Sequence, residues 1–125
     1  MRILVFITLL LLLSACFTPE RNCKAFKTGK FSFTSVVLGD TLTTTFTRND
    51  SIEIDYYLSR VDTFSVRWLN DCECIVKKLR PLTFQDSKAV QMKILTTDKS
   101  TYTFEYNLVG DTGNKQRGMV TKLSK

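Results

Sequence analysis

The sequence predicts an all-β protein, an antiparallel up-and-down meander of about eight strands that closes, or nearly closes, into a barrel. Three observations lead to this prediction. Apolar and polar residues alternate with a period of two from Gly29 onward, which is the period of a β-strand. Short segments rich in Gly, Asn and Asp separate the alternating runs, so consecutive strands should pair as antiparallel neighbours. No long helical pattern occurs beyond residue 16.

The alternating runs are short and follow one another along the chain. Their approximate ranges are 30–34, 41–47, 51–58, 64–69, 74–76, 90–95, 101–108 and 117–123. Turn residues lie at 39–40, 49–50, 70–71, 98–100 and 110–114, where Gly, Asn and Asp accept a positive φ or bond to their own backbone. Only residues 81–88 interrupt the pattern, and we expect a loop or one helical turn there because Pro81 lacks a backbone donor.

Each alternating run has one apolar face that the fold must bury. A closed barrel and a pair of packed sheets would both achieve this. The barrel is the simpler solution for a meander, because its first and last strands pair and leave no exposed edge. The side chains expected to face the interior are mostly aromatic: Phe31, Phe33, Phe46, Tyr56, Phe64, Trp68, Tyr102, Phe104 and Tyr106.

Four of these side chains have polar tips and are candidates to line a ligand site. They are Tyr56, Trp68, Tyr102 and Tyr106, whose hydroxyl or indole groups need hydrogen-bond partners when buried. A simpler interpretation is that the aromatic side chains fill the interior, with other strands or water as partners. Both interpretations stay open at this stage.

The composition argues against catalysis. The chain contains no His, which excludes Ser-His-Asp and Cys-His nucleophilic sites and His-ligated zinc. Glu53 and Asp55 share one face of a predicted strand, about 7 Å apart by strand rise, and we interpret them as its solvated face. We therefore expect no enzyme activity, no catalytic residue, no cofactor and no bound metal.

Residues 1–16 are typical of an exported protein. Arg2 precedes an apolar run over residues 3–13, which makes about 16 Å of helix and is too short for a hydrocarbon core of ~30 Å; a secretory signal is expected instead. The segment Leu13-Ser14-Ala15-Cys16 resembles the lipobox of bacterial lipoproteins. This resemblance implies cleavage after Ala15 and a diacylglycerol on Cys16, which would hold the protein at a membrane.

These features divide the chain into a signal peptide (1–15), a lipidated tether (16–26) and a single β-barrel domain (27–125). Phe17 follows the lipobox, rather than the Asp associated with inner-membrane retention in some bacteria. We therefore expect an outer-membrane location facing the periplasm, with the cell surface as the alternative. The net charge of +6 comes from scattered basic residues, which favours anionic surfaces over a nucleic-acid partner.

Three cysteines remain after Cys16, and an exported protein is expected to oxidise them. Cys72 and Cys74 are two residues apart on a predicted strand, a spacing that rarely forms a bridge, so Cys23 should pair with one of them. We favour Cys72, because the turn residues Asn70 and Asp71 precede it. Cys74 is the alternative partner and is otherwise a small buried thiol.

Two further resemblances bear on fold and function. The predicted barrel resembles the lipocalin-like small barrels, with Gly29-Lys30-Phe31 where they carry Gly-x-Trp and with Arg117 late in the chain as their closing Arg is. The chain is also similar to a family of small bacterial lipoproteins of unknown function. The segments that carry this similarity are ERNCK (20–24), FKTG (26–29), RWLNDCE (67–73), KILTT (93–97), YTFEY (102–106), VGDT (109–112) and KQRG (115–118).

The family resemblance implies the Cys23–Cys72 bridge, since the family pattern has an aromatic residue more often than Cys at position 74. Chains of this pattern are sometimes named DNA topoisomerase IV. We consider that name a misnomer, because such an enzyme needs ATP-binding and DNA-cleaving domains for which a single small domain has no room.

The expected function is that of a membrane-anchored bacterial lipoprotein with a structural or adaptor role in the envelope, without catalysis and with an envelope protein as partner. The alternative is a lipocalin-like binding module for a small apolar or amphipathic ligand. A filled interior would favour the adaptor, and a cavity near Trp68 and Tyr106 would favour the binding module.

Overall fold

Eight antiparallel strands, each paired with the next along the chain, form a closed barrel in the computed structural model, which describes residues 21–124. The last strand pairs with the first, so the prediction of an all-β, up-and-down barrel is confirmed. The strands are β1 (Gly29–Val37), β2 (Asp40–Arg48), β3 (Ile52–Tyr57), β4 (Arg60–Trp68), β5 (Glu73–Lys78), β6 (Val90–Thr97), β7 (Thr101–Leu108) and β8 (Gln116–Ser124).

Strands β1 and β8 close the barrel beside the packed rings of Phe33 and Phe104. Phe33 of β1 lies opposite Val120 of β8, and the register of this strand pair shifts between Lys30 and Phe31. Gly118 faces inward against Phe33 and Phe104, where a Cβ would lie 2.7 Å and 2.9 Å from their rings. A side chain at position 118 would therefore displace these rings, and glycine allows them to pack edge to face.

One end of the barrel, which we call the capped end, is covered by a 3-10 helix over Cys23–Phe26. Phe26, the last residue of this helix, is buried and packs edge to face on Tyr102. The disulfide Cys23–Cys72 ties the helix to the connection between β4 and β5, which confirms the predicted bridge. Residues 21–26, counted with the tether in the sequence analysis, are thus part of the folded barrel.

The opposite end, which we call the open end, carries the connections 38–39, 58–59, 79–89 and 109–115. The longest of these contains one turn, in which the amide of Ser87 donates to the carbonyls of Thr83 and Phe84. This agrees with the loop or single helical turn expected after Pro81.

The orientation of β3 differs from the prediction. Opposite residues in antiparallel strands share a face, and Phe46 and Arg48, both buried, lie opposite Asp55 and Glu53. The two carboxylates therefore face the interior. Their interpretation as a solvated face is wrong, as is the inward placement of Tyr56, which lies on the outer wall and is 44% exposed.

The predicted signal peptide, the lipobox and its Cys16 lie outside the described residues. Within residues 21–124, no helix has the length and apolar character needed to cross a membrane.

Candidate functional site

A cavity of about 270 Å³ lies inside the barrel. All eight strands contribute to its wall, and most of the wall is aromatic or aliphatic. The lining residues are Phe33, Thr44, Phe46, Arg48, Glu53, Asp55, Phe64, Val76, Val90, Met92, Tyr102, Phe104, Tyr106 and Val120. The interior is thus not completely filled by its aromatic side chains.

Arg48 lies at the bottom of this cavity, toward the capped end. Its Nε donates to Oε2 of Glu53 at 2.6 Å, one terminal nitrogen donates to the carbonyl of Phe26 at 3.2 Å, and the other donates to the hydroxyl of Tyr102 at 3.2 Å. The guanidinium also lies 5.3 Å from the ring centre of Phe31, a favourable cation–π geometry.

The charge of Arg48 is retained despite its burial. Burial alone would lower the pKa of Arg48, but the Tyr102 hydroxyl and the Glu53 carboxylate raise it above its ordinary value. Burial has the opposite effect on Tyr102: it raises the pKa of the hydroxyl, which therefore stays protonated. Arg48 and Glu53 form a hydrogen-bonded ion pair at the base of the cavity.

Asp55 is the carboxyl group that this pair leaves incompletely bonded. Its Oδ1 is buried and has no hydrogen-bond partner among residues 21–124. Burial, together with repulsion by and a hydrogen bond with Glu53, raises the pKa of Asp55 to about 8. The group is therefore mainly protonated at neutral pH and has an oxygen free to bond a molecule in the cavity.

The predicted ligand-lining residues divide between different parts of the barrel. Tyr102 and Tyr106 line the cavity, and the Tyr106 hydroxyl donates to Gln116 at 3.1 Å. Trp68 lies near the capped end, with Nζ of Lys27 5.1 Å from its ring centre, and does not line the cavity. Tyr56 is on the outer wall.

The Trp68 indole Nε1 is a second buried polar atom without a partner among residues 21–124. Trp68 is not among the residues that line the cavity, whereas Asp55 is. An unbonded donor beside the capping helix is a local cost to stability and does not extend the candidate site.

Cys74 is completely buried and unpaired within residues 21–124. Burial raises the pKa of its thiol to about 12, so the thiolate that would act as a nucleophile is scarce at neutral pH. Cys74 is thus a small core residue, in line with the prediction, while Cys23 and Cys72 form the bridge.

The sequence pattern did not identify Arg48, Glu53 and Asp55 as site residues. Arg48 continues the even-numbered series Thr44 and Phe46 along β2, so the period of two already indicated that it faces inward. The orientation of β3 depends on the register of the β2–β3 hairpin, which places Arg48 opposite Glu53. The apolar residues of β3 alternate regularly on the outer face of the strand, and this pattern led to the wrong prediction that they face inward.

The described residues contain no group of three or more His, Cys, Asp or Glu side chains arranged to hold a metal ion. In comparisons with known proteins, no family model, no curated protein and no solved structure matches the chain. The fold and site define the chain by themselves as a small closed β-barrel with an internal cavity and a buried acidic group.

Proposed function

We propose that the barrel is a binding module for a small, mainly apolar molecule with one amine group. The amine binds at Asp55, and the apolar part occupies the aromatic cavity above the Arg48–Glu53 pair. The observation that carries this proposal is the free, buried oxygen of Asp55 inside a cavity of about 270 Å³. A cavity favours the binding module over the adaptor role that a filled interior would have supported.

The charges around the cavity favour an amine over an acid. The one guanidinium of the wall, that of Arg48, is already bonded to Glu53, Tyr102 and Phe26. A bound carboxylate would approach two acidic side chains without a free cation. A protonated amine would instead supply the charge that allows Asp55 to ionise.

The volume limits the size of the molecule. Ligand pockets commonly measure about 300–1,000 Å³, and an engineered cavity of about 150 Å³ holds benzene. The barrel therefore suits one ring or a short branched chain with a single amine. Phe33, Phe64, Phe104 and Tyr106 supply the apolar contact surface.

Binding without catalysis agrees best with the arrangement of the two acids. A glycosidase needs two carboxyl groups that both reach the substrate, whereas Glu53 is held by Arg48 at 2.6 Å. Asp55 alone has a free oxygen. It can exchange a proton with a bound amine.

Isothermal titration calorimetry with three matched compounds tests the proposal: 2-phenylethylamine, 2-phenylethanol and 3-phenylpropionate. We expect the amine to bind and Asp55→Asn to weaken its binding at least about tenfold, the loss of one charged hydrogen bond. Tyr56→Phe, a change on the outer wall, is the matched control. Equal binding of all three compounds, or an unchanged amine affinity in Asp55→Asn, would contradict the proposal.

We further propose that the domain is attached through lipidated Cys16 to the outer membrane, facing the periplasm, as in the small bacterial lipoproteins that its sequence resembles. The lipobox-like residues 13–16 support this location. The Cys23–Cys72 disulfide supports it independently, because structural disulfides persist in oxidising compartments.

An adaptor role in the envelope is the second candidate. The observation that favours it is the apolar outer face of β3, where Ile52, Ile54 and Tyr56 are partly or largely exposed. Photo-crosslinking from position 54 in cells, with position 43 on the outer face of β2 as control, tests this role. A single envelope protein crosslinked from position 54 would support it, and its absence would count against it.

A further inference from the structure

The open end of the barrel presents apolar side chains on separate loop tips. Leu38 is fully exposed, and Leu58, Leu82 and Phe84 are each 81% exposed. They belong to the β1–β2 hairpin, the β3–β4 hairpin and the β5–β6 loop, which all lie at this end. We call residues 38–39, 58–61 and 79–88 the open rim. So many large exposed apolar side chains at one end indicate a contact surface.

Two of these leucines occupy backbone conformations that do not suit them. Leu38 has φ 52° and Leu58 has φ 51°, in the left-handed region that favours Gly, Asn and Asp. Hairpin tips of this kind usually carry Asn-Gly, yet here Leu38 precedes Gly39, whose φ is 85°. Neither burial nor backbone preference accounts for leucine at these two positions.

Positive charge accompanies the apolar tips. The open rim contains three basic side chains, Arg60, Arg80 and Lys88, and one acidic side chain, Asp86. Arg60 and Asp86 already have partners just outside the rim, Asp62 and Lys78. Arg80 and Lys88 make no ion pair within residues 21–124, so their charges are available to an anionic partner.

We propose that the open rim binds the surface of a lipid bilayer that contains anionic phospholipid. Separate convex tips can each enter the acyl boundary, whereas a protein partner needs a continuous complementary surface. Arg80 and Lys88 can place their charged ends at the phosphates while their methylene stems remain near the apolar tips. This surface is distinct from the cavity, and the proposal does not depend on the amine-binding function.

The test uses the full chain reconstituted in vesicles, with Phe84→Trp as a fluorescent probe and brominated phosphatidylcholine and phosphatidylglycerol as quenchers. The unmodified protein, whose only Trp is Trp68 near the capped end, is the reference. Brominated lipid is placed either in the vesicles that hold the protein or in a second, added population. The first arrangement reports contact with the protein's own bilayer, and the second reports contact with a facing bilayer.

We expect quenching at position 84, but not at Trp68, in one of the two arrangements. The double variant Leu38→Asn/Leu58→Asn should weaken lipid contact at least about tenfold, the effect of losing one buried leucine. The same variant should unfold at a higher temperature than the parent, since Asn accepts the positive φ. Loss of contact can then not be ascribed to misfolding. Leu69→Asn, at an exposed leucine of the capped end, should leave lipid contact unchanged.

Three results would overturn the proposal. The first is no quenching at position 84 in either arrangement, and the second is an equal loss of contact in Leu69→Asn. The third is a photo-crosslink from position 84 to an envelope protein without quenching by lipid, which would assign the open rim to a protein partner.

Discussion

The guanidinium of Arg48 donates a hydrogen bond of 2.6 Å to the carboxylate of Glu53 inside the barrel. The two residues lie directly opposite each other on the two strands of one hairpin. The pair holds the base of the cavity and places Asp55, two residues further along β3, beside a negative charge. This one contact therefore connects the register of the β2–β3 hairpin with the acidity of the candidate site.

Replacing Arg48 alone should destabilise the barrel strongly. Arg48→Met leaves Glu53 buried without its cation, which costs about 3–5 kcal/mol of unfolding free energy. The double variant Arg48→Met/Glu53→Leu removes both charges and should recover most of that loss. Urea unfolding of the three proteins measures both effects. If Arg48→Met and the double variant were equally unstable, the ion pair would not be the cause.

Asp55 should make the stability of the protein depend on pH. The folded protein holds the Asp55 proton up to about pH 8, whereas an unfolded chain releases it near pH 4. The stabilisation is thus complete below pH 4 and is lost as the pH rises toward 8, with a slope of up to about 1.4 kcal/mol per pH unit. Chemical denaturation at a series of pH values measures this slope.

Asp55→Asn is the control for that slope, because an amide does not titrate. We expect the variant to lose most of the decrease between pH 4 and 8 and to be more stable than the parent at pH 8. Asp71, whose pKa is lowered by its hydrogen bond with Lys27, acts below pH 4 and leaves this window unaffected. A parent protein with constant stability from pH 4 to 8 would refute a buried, protonated Asp55.

The disulfide should supply a large part of the stability of the domain. The bridge joins two residues that are 49 positions apart in the sequence. Closing such a loop stabilises the folded state by about 4 kcal/mol in the chain-entropy model. We expect Cys23→Ala/Cys72→Ala to lose approximately that amount in urea unfolding.

In the folded parent, Cys74 should resist a thiol reagent at neutral pH, since its pKa is about 12. Rapid labelling of Cys74 under native conditions would contradict its burial.

The lipid anchor is predicted from sequence and requires its own test. Cys16→Ala should leave the barrel folded but release it from the membrane fraction, because the variant carries no acyl chains. Its mass should be lower by the mass of the lost lipid. A protein that keeps its uncleaved signal peptide is the alternative product. Cell fractionation and mass spectrometry of the parent and the variant measure both properties. A parent that carries no acyl chain at Cys16 would disprove the anchor.

Much of the fold could be predicted because the strand period and the turn residues agree along the chain. Phe31, Phe46 and Tyr102 alternate with polar neighbours, and all three are buried as expected. The spacing of the cysteines left Cys23 to pair with Cys72 or Cys74, and the turn residues Asn70 and Asp71 favoured Cys72, which forms the bridge. The β3–β4 turn at Leu58 could not be predicted, because it lacks the Gly, Asn or Asp that usually marks a turn. A leucine with positive φ is unfavourable, and sequence rules do not anticipate it.

The candidate site was less predictable because β3 reverses the usual relation between polarity and burial. Ile52, Ile54 and Tyr56 form a clean apolar stripe, yet the hairpin register turns Glu53 and Asp55 inward. A local pattern cannot reveal this, since the partner that makes a buried Glu53 tolerable is Arg48 on the neighbouring strand. Polar residues inside a core are expected where function, rather than folding alone, determines the sequence.

The titration of the Asp55 carboxyl group shows whether a buried acid inside the barrel recognises an amine. Carbon-13 NMR of labelled aspartate, assigned with Asp55→Asn, gives its pKa in the free protein and after addition of 2-phenylethylamine. We expect a pKa of about 8 in the free protein and a marked decrease when the amine binds. A value near 4 in the free protein, unchanged by the amine, would contradict it.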